Sequence, residues 1–108
     1  DLDYSTVNVQ FTRYQKDEFY DWHSDDGELN THIKTQSVRK LSMTIPLNVD
    51  EYKGGDLELK LPENGKRIMK LEQGNVIVFP SFIEHRVLPV TQNTRYSLVA
   101  WVSGPPWR

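Results

Sequence analysis

The most informative residues of this sequence are two histidines and one aspartate whose side chains can bind a metal ion. His23 and Asp25 are separated by one residue, and His85 follows much later in the chain. Alternate residues of a strand project to the same face about 6.5–7 Å apart, so His23 and Asp25 can converge on one ion. Two imidazoles and a carboxylate on one side of a divalent metal leave its other coordination positions open. The sequence therefore predicts a metal site with nitrogen and oxygen ligands.

The position of one arginine, Arg95, indicates which kind of ligand binds beside that metal. Arg95, Ser97, Val99 and Trp101 alternate along one face of a predicted strand. An arginine among apolar neighbours is costly to bury unless an anion meets it, and its planar fork binds a carboxylate through two hydrogen bonds. The alternative is an arginine on the solvent face that pairs with a surface carboxylate. We expect Arg95 to bind the carboxylate of a co-substrate.

Length and composition limit the possible classes of protein. The chain has 108 residues and a net charge of -2, with 13 basic and 15 acidic residues mixed along it. This length predicts one domain over residues 1–108, and the charge pattern offers no basic surface for nucleic acid or anionic lipid. Cysteine is absent, which excludes disulfides and thiolate metal ligands. We expect a partner recognised by shape and local chemistry, and the oligomeric state stays open.

The sequence contains no apolar run near the roughly 20 residues that a membrane-spanning helix requires. Its first residues also lack the basic and apolar regions of a secretion signal. We therefore expect a soluble, cytoplasmic protein. Because the chain opens on Asp1 and enters a strand pattern within a few residues, one interpretation is a trimmed N-terminus with flanking helices outside the sequence.

Short runs of alternating polar and apolar residues predict an all-β fold. The eight predicted strands are 6–14, 19–25, 38–47, 57–61, 66–71, 76–79, 85–89 and 94–102. Eight short antiparallel strands are best closed as a double-stranded β-helix, a cupin-like jelly roll of two facing sheets, with few short helices. A Greek-key sandwich without a metal is the alternative architecture.

The alternation also predicts which side chains share a face. Phe19, Asp21, His23 and Asp25 fall on one face of the second strand, and the apolar run 76–79 is typical of a strand buried on both faces. On the first predicted strand, one face is predicted to carry Val7, Val9 and Phe11. On the third predicted strand, one face is predicted to carry Leu41, Met43, Ile45 and Leu47, and the opposite face Lys40, Ser42 and Thr44.

Two connections have distinct signals. Asn64-Gly65 predicts a tight hairpin, because both residues accept a positive φ. The segment 27–37 is long, polar and aperiodic, which is typical of a lid or a disordered loop. His32 within it is predicted to be a surface residue.

Five motifs together resemble the Fe(II)/2-oxoglutarate-dependent dioxygenases of the prolyl 4-hydroxylase-like group, and within it the PKHD-type hydroxylases. The motifs are His23-Ser24-Asp25, Gly54-Gly55-Asp56-Leu57, the segment 74–81, the segment 85–90, and Arg95-Tyr96-Ser97-Leu98. The resemblance runs from about Tyr14 to Trp101, in the expected order.

That resemblance implies a double-stranded β-helix in which His23, Asp25 and His85 hold Fe(II). It implies that Arg95 binds the distal carboxylate of 2-oxoglutarate and that Ser97 adds a hydrogen bond to the same group. The implied reaction uses dioxygen and converts 2-oxoglutarate to succinate and carbon dioxide while a C–H bond is hydroxylated, with ascorbate in a supporting role. The same ligands also accept Mn, Co, Ni or Zn.

The resemblance assigns other pocket residues less directly. Tyr14 lies where relatives place a phenol over the co-substrate, although an aromatic side chain packed at a strand end fits equally well. Leu57 and Trp101 would wall the pocket, or belong to the core. Oxygen-sensing relatives present a Tyr on the third strand; here that contact to the distal carboxylate is absent or replaced by Ser42 or Thr44.

The expected function is hydroxylation of an unactivated C–H bond, foremost in a prolyl residue of a peptide or protein, by a bacterial or phage-encoded enzyme. The substrate would enter beside 27–37 and the 15–19 turn. One alternative is a jelly-roll module that binds sugar or peptide on aromatic side chains, as Trp22, Trp101 and Trp107 would allow. Another is a cupin enzyme that uses a metal without 2-oxoglutarate, but this hypothesis has no use for Arg95.

Overall fold

A computed structural model describes residues 6–26, 38–63 and 65–105. These residues form ten β-strands and one short 3₁₀ turn at Val49–Glu51. The strands are β1 Thr6–Tyr14, β2 Tyr20–His23, β3 Val38–Pro46, β4 Lys53–Gly54, β5 Leu57–Leu61, β6 Gly65–Met69, β7 Ile77–Pro80, β8 His85–Val87, β9 Val90–Gln92 and β10 Arg95–Gly104. Within the described part of the chain, no helix is long and apolar enough to cross a membrane.

The strands form two antiparallel four-stranded sheets that face each other. One sheet has longer strands and is called the larger sheet; its order is β1-β10-β3-β7. The other, called the smaller sheet, has the order β2-β8-β5-β6. A third, two-stranded sheet pairs β4 with β9. This arrangement confirms the predicted all-β jelly roll. All eight predicted strands are present, whereas β4 and β9 were missed because two or three residues carry no measurable alternation.

The larger sheet has a polar inner face and an apolar outer face. On β3, Lys40, Ser42 and Thr44 are buried at 0%, 1% and 7% exposure. On β1, Val7, Val9 and Phe11 are about 60% exposed. The predicted alternation is therefore correct, but the polar row of β3 is the one that faces the interior. That inner face carries the chemistry described below.

The apolar core lies between β5 and β7. Leu57, Leu59, Leu71 and Phe79 form its buried cluster. The prediction that the run 76–79 is buried on both faces is wrong, because Val78 is 53% exposed. The reason is topological: β7 is the edge strand of the larger sheet, and only its inner face meets the opposite sheet.

The second strand also differs from its prediction. β2 ends at His23, and its pairing with β8 contains an irregularity between Tyr20 and His23. An extra residue in one strand reverses the alternation beyond it. Tyr20 therefore shares the inner face with His23, whereas Asp21 is exposed, and the prediction that placed Asp21 beside His23 is wrong.

The predicted hairpin joins β5 to β6, with Leu61 opposite Gly65 at its closed end. Gly65 has a φ of +68°, the conformation that the turn requires. Asn64 lies outside the described residues, as do the 27–37 segment with its His32 and, at the other end, Trp107.

Candidate metal centre and anion pocket

A cavity of about 270 Å³ lies between the two sheets. This volume is near the lower end of the roughly 300–1,000 Å³ typical of small-molecule sites. Nine of the residues that the sequence analysis considered for the site line it, and Ser97 contacts one of them. The nine are Tyr14, His23, Asp25, Ser42, Thr44, Leu57, His85, Arg95 and Trp101.

The three predicted metal ligands meet at one side of this cavity. His23 on β2 lies opposite His85 on β8, and their ring centroids are 4.2 Å apart. Asp25 completes the group: Oδ1 lies 3.3 Å from His23 Nε2, and Oδ2 lies 3.4 Å from His85 Nε2. One ligand atom from each residue lies within 4.8 Å of the others. Strand pairing thus brings together residues that are far apart in sequence.

Backbone carbonyl groups orient both imidazole rings. His23 Nδ1 lies 2.8 Å from the Asp21 carbonyl oxygen, and His85 Nδ1 lies 3.0 Å from the Ile83 carbonyl oxygen. A carbonyl oxygen can only accept, so each Nδ1 carries the proton and donates it. In the neutral rings Nε2 then has a free lone pair, as a metal ligand requires.

Asp25 lies beyond the end of β2 and is held by hydrogen bonds from other elements. Its backbone N–H donates to the Ser81 carbonyl oxygen at 2.9 Å. Ser42 Oγ and Trp101 Nε1 donate to Asp25 Oδ2 at 2.7 and 3.0 Å. Burial acts to raise the pKa of Asp25, but hydrogen bonds from His23, Ser42 and Trp101 outweigh it and lower that pKa to about 2. The carboxylate is therefore ionised at neutral pH.

The two histidines differ in proton affinity. Burial acts to lower the pKa of His23, but its hydrogen bonds to Asp25 and to the Asp21 carbonyl group prevail, so this pKa is raised. Burial lowers the pKa of His85, and the hydrogen bond to Ile83 and the charge of Asp25 offset this only in part. His85 is thus the more readily available neutral ligand.

Arg95 lies in the same cavity as a buried cation. Its exposure is 2%, and Nη1 donates to Ser97 Oγ at 3.1 Å. Its Nε is buried without a hydrogen-bond partner, and no carboxylate among the described residues forms an ion pair with it. A buried guanidinium without an acidic partner is unfavourable, so this end of the cavity suits an anionic ligand.

The surroundings of Arg95 include two residues of β1. The guanidinium carbon lies 5.4 Å from the centre of the Tyr14 ring, and burial raises the pKa of the Tyr14 hydroxyl group above its usual value. Thr12 Oγ1 lies 2.5 Å from Ser97 Oγ, and Thr12 also lines the cavity. Sequence reasoning missed Thr12, although it alternates with Tyr14 along β1.

Ser42 has a different position from the one expected. It was considered as a contact to the distal carboxylate of the co-substrate, together with Thr44. In the structure Ser42 Oγ donates to Asp25, at the metal end of the cavity. Thr44 lies two residues further along β3 and lines the cavity opposite Val99.

Arg39 is a cavity residue that sequence reasoning missed. Its guanidinium carbon lies 4.0 Å from the centre of the Trp101 ring, a cation–π contact. The β3–β10 register shifts between Val102 and Ser103, which leaves Lys40 as an extra residue on β3. Such a bulge redirects side chains and here brings Arg39 into the cavity lining. Simple alternation would have placed it outside.

Trp22 lies outside the cavity lining. Its ring lies 4.7 Å from the Arg86 guanidinium carbon and 5.6 Å from Lys66 Nζ. Trp101 lies in the cavity, but its indole N–H donates a hydrogen bond to Asp25. These two aromatic side chains therefore do not form the shared platform on which the binding-module hypothesis depends.

The residues present fit an iron ion and an anionic co-substrate. Two neutral imidazole nitrogens and one carboxylate oxygen form the donor set typical of non-haem Fe(II). The Nε of Arg95, which has no hydrogen-bond partner in the described part of the chain, adds a buried donor in the same cavity.

Comparison with known proteins agrees with this geometry. The family model of the 2OG-Fe(II) oxygenase superfamily matches residues 9–103. The chain therefore belongs to the 2OG-Fe(II) oxygenase superfamily. Within it, the chain is similar to proteins named PKHD-type hydroxylases.

Two of these relatives show the extent of the similarity. One from Idiomarina loihiensis is 35% identical over 99 residues, and one from Rippkaea orientalis is 40% identical over 98 residues. The matches cover 91% and 90% of this chain. The chain spans less than half of the length of these curated relatives, 43% in both cases.

A solved structure has the same fold. The Pseudomonas putida prolyl-4-hydroxylase superposes with a TM-score of 0.69 at 26% sequence identity. The match covers 88% of this chain and 51% of that one.

Proposed function

We propose that this chain forms the Fe(II)- and 2-oxoglutarate-binding centre of a dioxygenase that hydroxylates an unactivated C–H bond. His23, Asp25 and His85 would hold Fe(II). Arg95 would bind the distal carboxylate of 2-oxoglutarate, with Ser97 beside it. Dioxygen is the second co-substrate, and ascorbate is a supporting reductant.

One observation carries this proposal. Three convergent metal ligands line the same cavity as a buried arginine that has no acidic partner among the residues that the structure describes. A cupin enzyme that binds only a metal gains nothing from Arg95, which costs free energy to bury unpaired. A dianionic co-substrate would give the cation its partner.

The chain's own residues would bind and orient the reactants. When bound, Fe(II) supplies the oxidising chemistry that couples conversion of 2-oxoglutarate to succinate and carbon dioxide with hydroxylation. The Nε2 atoms of His23 and His85 and the Asp25 carboxylate would hold the metal and leave its other coordination positions for the reactants. Arg95 fixes the far end of the co-substrate.

Other cavity residues would support this arrangement. Tyr14, whose pKa is raised, keeps its phenolic proton at neutral pH and can donate it in a hydrogen bond. Leu57 and Val99 line the same cavity, and their apolar side chains would help to exclude water from it.

The proposed substrate is a prolyl residue of a peptide or protein. The names of the similar proteins, PKHD-type hydroxylase and prolyl-4-hydroxylase, support this choice. Tyr20, at 51% exposure, lines the cavity and presents an aromatic face beside His23 that suits a proline ring.

The test is turnover with defined reactants. The purified chain is incubated with Fe(II), ascorbate, 2-oxoglutarate and proline-containing peptides, and succinate and the gain of one oxygen atom are measured by mass spectrometry. We expect both products from the wild type and neither from Asp25→Ala. Full turnover by His23→Ala and Asp25→Ala would refute the metal assignment. Peptide binding that survives chelation and ignores 2-oxoglutarate would instead favour a binding module.

A further inference from the structure

Asp25 is the one proposed ligand that does not belong to a strand. β2 ends at His23, whereas His85 begins β8. A ligand outside the ladder is not oriented by strand pairing, so its carboxylate must be oriented by side chains and by single backbone contacts. Those contacts come from the larger sheet and from the segment after β7.

Two side-chain donors reach the same oxygen of Asp25. Ser42 on β3 and Trp101 on β10 are direct partners in the β3–β10 register. Because they are opposite each other on the inner face, the hydroxyl group and the indole N–H both meet Asp25 Oδ2, at 2.7 and 3.0 Å. A carboxylate oxygen offers about two lone-pair sites, so these donors occupy Oδ2.

A second serine lies behind the first. Ser81 Oγ is 2.8 Å from Ser42 Oγ, and both serines are at most 1% exposed. A hydroxyl group carries one proton, and Ser42 donates its proton to the carboxylate. Ser81 must therefore be the donor in the serine pair, which gives the direction Ser81 to Ser42 to Asp25. Donors to a charged acceptor form the stronger kind of hydrogen bond.

Ser81 also forms backbone hydrogen bonds to two other segments of the site. Its carbonyl oxygen accepts from the Asp25 N–H, and its own N–H donates to the Lys40 carbonyl oxygen, both at 2.9 Å. One residue thus contacts both the main chain of Asp25 and, through Ser42, the side chain of Asp25.

We infer that Ser42 positions Asp25 so that Oδ1 alone is available to a metal ion. Ser81 assists by its hydrogen bond to Ser42, and Trp101 assists by its own hydrogen bond to Asp25 Oδ2. This inference rests on the proposed metal site and adds two positioning residues to it. Oδ1 lies 3.3 Å from His23 Nε2 and accepts no hydrogen bond from Ser42 or Trp101. Removal of the Ser42 hydroxyl group should let the carboxylate rotate and weaken metal binding.

The experiment measures Co(II) affinity by calorimetric titration of the purified chain, together with the visible absorption of bound Co(II). Ser42→Ala should bind Co(II) 10- to 100-fold more weakly, the range usual for outer partners of metal ligands. Ser81→Ala should lose less, because Ser42 can still donate to Asp25. The Co(II) spectrum of Ser42→Ala should change, since the spectrum reports ligand geometry.

Ser103→Ala is the matched control. Ser103 is also 1% exposed on the larger sheet, but its hydroxyl group has no hydrogen-bond partner within the described ranges 6–26, 38–63 and 65–105. Its loss removes a buried hydroxyl group without touching Asp25, so Co(II) affinity and spectrum should stay at wild-type values. Ser42→Thr, which retains the hydroxyl group, should restore most of the affinity lost in Ser42→Ala.

The outcomes separate this inference from the proposed function. If Asp25→Ala loses Co(II) binding while Ser42→Ala and Ser103→Ala behave alike in affinity and spectrum, Ser42 does not position the ligand and the metal site still stands. If Asp25→Ala binds Co(II) as the wild type does, both the site and the inference are wrong. Thermal unfolding of each variant separates loss of folding from loss of affinity.

Discussion

Gly55 lies directly against the side chain of Arg95. A Cβ atom on Gly55 would lie 2.8 Å from Arg95 Cδ and 3.1 Å from Val90 Cγ2. Real Cβ contacts are essentially never shorter than 3.0 Å, so any side chain at position 55 must displace the arginine or the backbone. The absence of a side chain at Gly55 therefore leaves room for the Arg95 side chain at its Cδ.

Gly55→Ala should lower the affinity for 2-oxoglutarate by at least about tenfold, equivalent to about 1.4 kcal/mol. The reason is displacement of Arg95 from the position in which it meets the carboxylate. Calorimetric titration of the Mn(II)-loaded chain with 2-oxoglutarate measures the effect.

Gly65→Ala controls for backbone strain. Gly65 has a φ of +68°, close to the +66° of Gly55, but no atom lies within 4 Å of its added Cβ. Both alanines are therefore strained to a similar degree, and only one reaches Arg95. Equal losses of 2-oxoglutarate affinity in the two variants would show that Gly55 acts through stability alone.

Arg95→Met should reduce the rise in thermal midpoint that 2-oxoglutarate produces, while leaving the ligand-free protein no less stable. The substitution removes a buried cation that has no acidic partner among the described residues, so its loss relieves a desolvation cost. The same change should reduce 2-oxoglutarate affinity by about 30-fold or more, or about 2 kcal/mol. Thermal midpoints measured with and without 2-oxoglutarate check both parts; an undiminished ligand-dependent rise in Arg95→Met would contradict the assignment.

Thr12→Val should weaken 2-oxoglutarate binding modestly. Valine keeps the shape of threonine but lacks the hydroxyl group that contacts Ser97, the hydrogen-bond acceptor of Arg95. Loss of one neutral hydrogen bond costs about 1 kcal/mol, or about fivefold in affinity. Metal affinity should not change, because the hydrogen bonds of Thr12 among the described residues go to Ser97 and to none of the three ligands. A parallel fall in metal affinity would point to a general loss of structure.

Metal affinity should fall as the pH is lowered, because protons compete for the histidine Nε2 atoms. The raised pKa of His23 means that this residue keeps its proton at pH values where a free histidine has lost it, so the decline should begin above pH 6.5. The lowered pKa of His85 places its protonation below pH 6.5. Asp25, with a pKa of about 2, stays ionised throughout.

As the pH is lowered, the logarithm of the Co(II) association constant should therefore decrease in two stages. Near neutrality, binding of each metal ion displaces one proton, from His23. At lower pH it displaces two protons, one from each histidine. Titrations between pH 5 and pH 8 would measure the slope. An affinity independent of pH over this range would argue against histidine ligands.

Strand alternation and residue type predicted much of this structure from the sequence. The jelly roll and the inward row from Arg95 to Trp101 follow from period-two patterns, and the structure agrees with both. The pattern is reliable for β10 because one face of that strand is buried, which fixes the face of each side chain.

The features that escaped prediction depend on irregular pairing or on tertiary contacts. Tyr20 and Arg39 reach the cavity through irregularities in strand register, which have no signal in alternation. The partnership of Ser42 and Ser81 requires two segments to meet in space. The burial of a polar row on β3 was equally inaccessible, because alternation defines two faces without saying which one is covered.

The central claim is that His23, Asp25 and His85 bind one metal ion next to an arginine that binds 2-oxoglutarate. The most direct measurement is electron paramagnetic resonance of free Mn(II) during titration of the chain, with and without 2-oxoglutarate. We predict one Mn(II) bound per chain, tighter binding when 2-oxoglutarate is present, and loss of binding in His23→Ala, Asp25→Ala and His85→Ala. Mn(II) binding that is unchanged in all three variants, or indifferent to 2-oxoglutarate in the wild type, would contradict the account.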